Sequence, residues 1–256
     1  TGENVGCLLG HSGPVTALSG LPDGRLVSGS DDTTMRFWNV QKGSSTACLQ
    51  DDMNYVSALC PLPDGRLASN SNRHFIRIWD VNAGLETIRL KFDVNTAASL
   101  CILPDGRLAS GLGLRDFNFS KEIPSDIILW DIKTGKIDGR LQGHQSSITA
   151  LCVVSNELLA SGSGDNSIRL WDVKTRAETA RLEGHLAGVN GLCLFDGGWL
   201  ASVSDDNTVR LWDLTTKCEV ARLEVDSRLR CIVSVPDGRL VAGDGLGRLH
   251  WLEVLL

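Results

Sequence analysis

The sequence of 256 residues contains eight cysteines but no Cys-x-x-Cys pair, so the usual zinc-binding spacing is missing. No run approaches the ~18 consecutive apolar residues of a membrane helix, and no membrane association is expected. The N-terminus, TGENVGCLLGHSG, has neither a basic head nor a long apolar stretch, so it is not expected to be a secretory signal. It also begins without Met, so a processed product or a piece of a longer polypeptide is expected. Positive charge is not in excess: the net charge is −6, with acidic and basic residues interleaved. Phosphate binding needs a concentrated cationic face, so nucleic acid is not an expected partner. Aromatic residues are scarce at 5%, with a single tyrosine. Neither a metal nor another cofactor is expected.

The cysteines that are present sit at repeated places. Cys60, Cys101, Cys152 and Cys193 each follow Ala-Leu, Ser-Leu or Gly-Leu, and Cys7 and Cys48 share a second register. Cysteine acting as a small buried hydrophobe accounts for this pattern. Free core thiols favour a reducing compartment, and the expected location is the cytoplasm.

Repetition dominates the rest. Tryptophans closing an apolar run stand at Trp38, Trp79, Trp130, Trp171, Trp212 and Trp251, at spacings of 41, 51, 41, 41 and 39. A Gly-His marker, or its substitute, places its second residue at 11, 52, 93, 144, 185 and 226. The ten extra residues of the third unit lie in the stretch GLRDFNFSKEIPS, residues 113–125. LPDGRL at 21–26, 62–67 and 103–108, and VPDGRL at 235–240, have Pro and Gly where a type I turn between two strands wants them. A strand such as SIRLWDV (167–173) follows, then a turn and a last strand such as TARLEG (179–184). Four strands in about 41 residues is the signature of a propeller blade.

The Gly-His…Trp-Asp pattern resembles the WD-repeat β-propeller family over essentially the whole chain, best in GHQSSITALCVV…LASGSGDNSIRLWD and GHLAGVNGLCLF…LASVSDDNTVRLWD. The expected fold is all-β: one domain over residues 1–256, a six-bladed propeller of four-stranded antiparallel blades. The final unit lacks a fourth strand and the chain opens with a strand lacking its blade. Residues 5–9 are therefore expected to pair with the 229–254 blade and close the ring, leaving no open edge. Seven blades are usual in the family, so six is a departure.

His, Ser, Asp and Trp recur at fixed spacing as His11, Ser28, Asp32, Trp38; His144, Ser161, Asp165, Trp171; and His185, Ser202, Asp206, Trp212. The set resembles a Ser-His-Asp triad, but catalysis needs one copy and a scaffold needs many. In the family these residues form a hydrogen-bonded tetrad inside each blade. The other units deviate: Asp52, Asp93 and Asp226 stand in the His register, and Arg73 in the Asp register of the second unit. A replacement ion pair between Asp52 and Arg73 is expected. In the third unit Arg115 or Lys121 could serve Asp93. The sixth has Ala242 for Ser and Trp251-Leu252 for Trp-Asp, which makes it the weakest blade.

In such a propeller the loops carrying His and Asp share the top face, where partners are expected. Tyr55, Asp31, Asn72, Asp205 and Arg228 are candidate contacts there. The insertion rises from the same face, with Phe117 and Phe119 flanked by Arg115 and Lys121. Aromatic anchors with a charged rim suit an interface, while local packing or a loose tip remain open for this loop. The expected function is a non-enzymatic, monomeric scaffold that binds a protein or peptide on its top face. The alternative is a sensor or autoinhibitory domain of a larger signalling protein. A propeller enzyme is the least favoured reading, because His74 and His250, outside the tetrads, have nothing to bring them together.

Overall fold

The computed structural model describes residues 6–50, 55–71, 75–92, 96–113, 125–195 and 198–254. They form 23 strands and, among the described residues, no helix. Blade one is β1 (Val15–Gly20), β2 (Leu26–Ser30), β3 (Thr34–Asn39) and β4 (Ser44–Gln50). Blade two is β5 (Val56–Pro61), β6 (Leu67–Ser71), β7 (Phe75–Asp80) and β8 (Leu85–Lys91). Blade three is β9 (Thr96–Ile102), β10 (Leu108–Gly113), β11 (Ser125–Asp131) and β12 (Lys136–His144). Blade four is β13 (Ile148–Val153), β14 (Leu158–Ser163), β15 (Ile168–Asp172) and β16 (Ala177–Leu182). Blade five is β17 (Val189–Phe195), β18 (Trp199–Ser204), β19 (Thr208–Asp213) and β20 (Cys218–Glu224). Blade six is β21 (Leu229–Val235), β22 (Arg239–Asp244) and β23 (Leu249–Glu253). Each sheet is an antiparallel meander in chain order, so the six are the blades of a propeller.

The Pro-Asp-Gly-Arg turns do what their residues require. Gly24 N–H donates to the Leu21 carbonyl at 3.0 Å, and Gly24 takes a left-handed φ of 83°, free of the Cβ clash another residue would meet. The Asp23 carboxylate accepts the Arg25 N–H at 3.0 Å, and the same turn recurs at Gly65, Gly106 and Gly238.

Blades pack through their first strands, β1 on β5, β5 on β9, β9 on β13, β13 on β17 and β17 on β21. In all six blades the first strand carries a bulge, after Val15, Val56, Ala97, Ile148, Val189 and Leu229. A bulge re-aims the extra residue, and three of these residues use that freedom to clasp the next blade. Thr16 bonds the Val56 carbonyl, Thr149 the Val189 carbonyl and Asn190 the Leu229 carbonyl. In the remaining junctions Asn70 bonds the Ala97 carbonyl and Ser99 the Ile148 carbonyl.

Two features of blade six differ from the sequence reading. Its sheet has three strands, and Gly6 to Gly10 form no strand against β23. Trp251 is not the tetrad tryptophan: it pairs with Val241, as Phe37 pairs with Val27, so Leu252 opposite Leu240 holds the register of Trp38. Blade six is one residue shorter before β22, and the spacing of 39 hid the shift.

The cysteines also divide. Cys60 is buried and Cys101, Cys152 and Cys193 largely so, where desolvation pushes Cys60 and Cys152 up to about 11 and Cys101 and Cys193 up to about 12. Cys7, Cys48, Cys218 and Cys231 are exposed free thiols, so the buried-hydrophobe reading does not extend to Cys7 and Cys48.

Candidate functional site

The three full tetrads are nearly superimposable in geometry. In blade one the Trp38 indole N–H donates to Ser28 Oγ at 2.8 Å, and Ser28 Oγ lies 2.7 Å from His11 Nε2. His11 Nδ1 lies 2.8 Å from Asp32 Oδ2. The arrangement suits the tautomer in which Ser28 gives its own proton to Nε2 and the ring carries its hydrogen on Nδ1, toward Asp32. Blade four repeats this at 2.7, 2.7 and 2.8 Å, and blade five at 2.8, 2.7 and 2.8 Å. Ser28, Ser161 and Ser202 are at most 2% exposed, so the chain of bonds ties two loops to a strand and offers no oxygen to a substrate.

The aspartates finish the tie. Burial alone would raise the Asp206 carboxyl, but bonds from Thr208, the Leu186 N–H and His185 outweigh it and hold the group well below the carboxylate range. Asp32 and Asp165 are depressed in the same way, by Thr34, Ser12 N–H and His11 and by His144, Ser167 and Gln145 N–H. For His185, burial outweighs the bond from Asp206 and lowers its pKa, which keeps the ring neutral.

Blades two and three keep half of the device: the indole N–H of Trp79 donates to Ser69 at 2.8 Å and that of Trp130 to Ser110 at 2.9 Å. The expected Asp52–Arg73 pair, Asp93 and His74 lie outside the described residues. A swap of that type is built in blade six instead. Arg248 stands where other blades have Thr34, Ser167 or Thr208, and donates to Asp226 in the His register at 3.0 Å. Its Nε donates to Asp244 at 2.7 Å, and His250 Nε2 lies 2.9 Å from the same carboxylate. Asp244 sits among these donors, which hold its carboxyl far below the usual range despite desolvation. His250 therefore belongs to an ion-pair network and is not an isolated packed ring.

A second set of pairs escaped the sequence reading. Arg169 donates to Glu178 at 2.5 Å and Arg210 to Glu219 at 2.6 Å, both from buried positions, and Arg77 lies 3.5 Å from Glu86. The signal was present as an Arg-Glu spacing of nine in repeats two, four and five. Blade one has Arg36 but Ser45 where the glutamate belongs; its buried Nε has no hydrogen-bond partner, as in Arg169, whose bond to Glu178 runs through a terminal guanidinium nitrogen that in Arg36 has no glutamate opposite.

The loops that carry Asp31, Asp205 and Arg228 are each bonded to the neighbouring loop of their own blade. The Asp31 N–H donates to the Pro14 carbonyl at 2.9 Å, Gly164 to Ser147 at 2.9 Å, Asp205 to Gly188 at 3.0 Å and Gly245 to Arg228 at 2.8 Å. The two loops of each of these blades are thus stapled into one rim beside the tetrad. Asp31 and Arg228 are exposed on it and Tyr55 is half-buried. Asp205 is already engaged, accepting from Asn190 and from Arg230 of blade six, each at 3.0 Å. Asn72, Arg115, Phe117, Phe119 and Lys121 lie outside the described residues. At the root of the insertion Asp126 is buried and accepts from Arg140 at 3.3 Å and Gln142 at 3.1 Å, a brace the sequence reading missed.

Meandering four-stranded sheets packed through their first strands and tied by repeated Trp-Ser-His-Asp chains define a β-propeller whose polar motifs are structural. Residues 2–39, 135–172 and 176–213 match the model of the family "WD domain, G-beta repeat". These segments carry the motifs of the full tetrads of blades one, four and five, so the chain contains three repeats of this family within a six-blade β-propeller. No curated protein matches the chain. WD-repeat propellers generally serve as protein-interaction scaffolds.

Proposed function

We propose that this chain is a non-enzymatic scaffold that binds a protein or peptide on the rim formed by the stapled loops. The observation that supports it is the stapling itself: four pairs of loops are held in fixed register by backbone bonds and buried tetrads or their substitutes. A rigid rim orders few groups on binding, which lowers the entropic cost of recognition. Asp31 and Arg228 are exposed charges on it. Tyr55 and the 115–124 loop, with Phe117, Phe119, Arg115 and Lys121, add candidate anchors, and Asn72 and Asp205 candidate polar contacts. The free thiols support a reducing compartment, the cytoplasm, as its location. The chain acts as a monomer and does not use nucleic acid as its partner.

The test is affinity capture with the intact chain, with Asp31→Lys/Arg228→Glu, and with residues 115–124 deleted. Capture of the same protein by the intact chain and its loss in both variants, at unchanged melting temperature, is the expected result. Capture that survives both variants would refute the rim as the binding surface.

A further inference from the structure

Four third strands carry an arginine in the same register, and three of the four come with a carboxylate. Arg77, Arg169 and Arg210 stand opposite Arg89, Arg181 and Arg222 of the fourth strands. Glu86, Glu178 and Glu219 stand opposite the tryptophan two residues further along each third strand. In blades four and five the arginine reaches that glutamate through Nη1, at 2.5 Å and 2.6 Å. Blade three dispenses with the pair altogether and has Ile128 and Ile137 in the two registers. Blade one keeps half of it. Arg36 lies opposite Cys48, and Ser45 lies opposite Trp38, where the glutamate belongs.

Arg36 nonetheless holds the pose of the paired arginines. Its Nη1 lies against Gly10, as Arg169 Nη1 lies against Gly143 and Arg210 Nη1 against Gly184. Among the described residues no carboxylate or carbonyl accepts from it. Arg77, Arg169 and Arg210 are buried, whereas Arg36 is partly exposed, so a carboxylate from outside has access to it. Ser45 spends its hydroxyl on the Ala47 carbonyl at 3.2 Å, and the Cys48 thiol is exposed. The guanidinium is therefore pre-positioned for a charge-assisted bond that its own blade does not supply.

The strand outside it differs from its counterparts in a second, independent way. Every described fourth strand forms the edge of its sheet. β8, β12, β16 and β20 each carry at least two charged residues, such as Glu178 and Arg181 on β16. β4, with the sequence SSTACLQ, carries none. Charged side chains discourage an edge from pairing with another chain, and β4 lacks that protection.

We propose that the edge of β4 is a docking strand for an extended segment of a partner protein, which pairs with the β4 backbone and brings one glutamate to Arg36. A strand added there runs ~4.8 Å outside β4. On the face of Arg36, only the small side chains of Ser45 and Cys48 stand between that strand and the guanidinium. Glutamate has the length to cross that gap, and it restores the pair that blades two, four and five hold internally. A second copy of this chain pairing edge to edge does not qualify, because the seven residues of β4 include no carboxylate. This surface is the outer edge of blade one, apart from the stapled rim, and the inference does not rest on the rim reading.

The experiment titrates the full chain with two end-capped seven-residue peptides of alternating threonine and valine, with glutamate or glutamine in place of the central valine. Glutarate serves as a third probe, a carboxylate without a strand. Binding is read by calorimetry, by the Arg36 Nε–H signal in NMR and by amide exchange along β4. The glutamate peptide should shift the Arg36 signal and protect β4 amides, and bind at least about tenfold tighter than the glutamine peptide or glutarate. Ser45→Glu, which fills the site from within the chain, should weaken the glutamate peptide at least about tenfold more than Ser45→Gln does. Arg36→Gln should bring the two peptides to equal affinity. Failure of the glutamate peptide to bind, or equal binding of both peptides to the intact chain, would overturn the proposal. Glutarate matching the glutamate peptide would overturn strand docking in favour of a small-carboxylate site. A concentration-dependent dimer whose formation protects the β4 amides would overturn it in favour of a second copy. A loss of stability in Glu3→Gln that disappears in an Arg36→Gln background would overturn it in favour of a carboxylate from this same chain.

Discussion

Replacing Ser161 with alanine should destabilise the protein more than the same change at Ser69, although both serines are 0% exposed and both hold a tryptophan. Ser161 accepts from Trp171 and donates to His144, each over 2.7 Å, so its loss leaves a buried indole N–H and a buried imidazole nitrogen without partners. Each orphan costs about 1–3 kcal/mol, which gives roughly 2–6 kcal/mol for Ser161→Ala. Among the described residues Ser69 holds one side-chain bond, from Trp79, so Ser69→Ala should cost about 1–3 kcal/mol. The assay is urea unfolding followed by tryptophan fluorescence, reading the midpoint and checking that the slope is unchanged. Blade six supplies the internal control. There Ala242 and Leu252 replace both partners, and substituting a whole polar pair by apolar groups can be nearly neutral. Ser161→Ala combined with Trp171→Leu should therefore cost less than the sum of the two single changes. Equal losses for Ser161→Ala and Ser69→Ala, or strict additivity in the double variant, would refute the assignment of the tetrad as a chain of obligatory bonds.

Stability should also fall with pH in two stages. His185 has a pKa below its ordinary 6.5, so the unfolded chain binds more protons and stability drops as pH falls through that value, and His185→Asn should remove its share. Asp32, Asp165 and Asp206 are depressed below 3.8, so their contribution is present above that value and is lost as pH falls through the folded pKa. Melting temperatures flat from pH 7 down to 4 would contradict the first stage. Ser45→Glu should stabilise blade one by about 1 kcal/mol by giving Arg36 the carboxylate that Arg169 and Arg210 have. The gain should vanish in an Arg36→Gln background, and a gain that persists there would mean Arg36 is not the partner.

Sequence alone determined the local repeat. The Pro-Asp-Gly-Arg turns, the four-strand unit and the Trp-Ser-His-Asp spacing depend on residues within one 41-residue period, where side-chain alternation and turn chemistry act over short range. The top-face positions Asp31, Asp205 and Arg228 were legible for the same reason. Tertiary structure decided what joins one period to another. It placed Trp251 out of the tetrad register, gave Asp226 and Asp244 to Arg248, turned Arg230 back to Asp205, and sent Thr16, Thr149 and Asn190 from bulges to the next blade. It also left Val15 and Leu249 exposed, although their counterparts in the other blades are buried. Closure depends on the rotation accumulated over all the junctions. No single repeat encodes that sum, so the repeat count could be right while the sixth blade has three strands, not four, among the described residues.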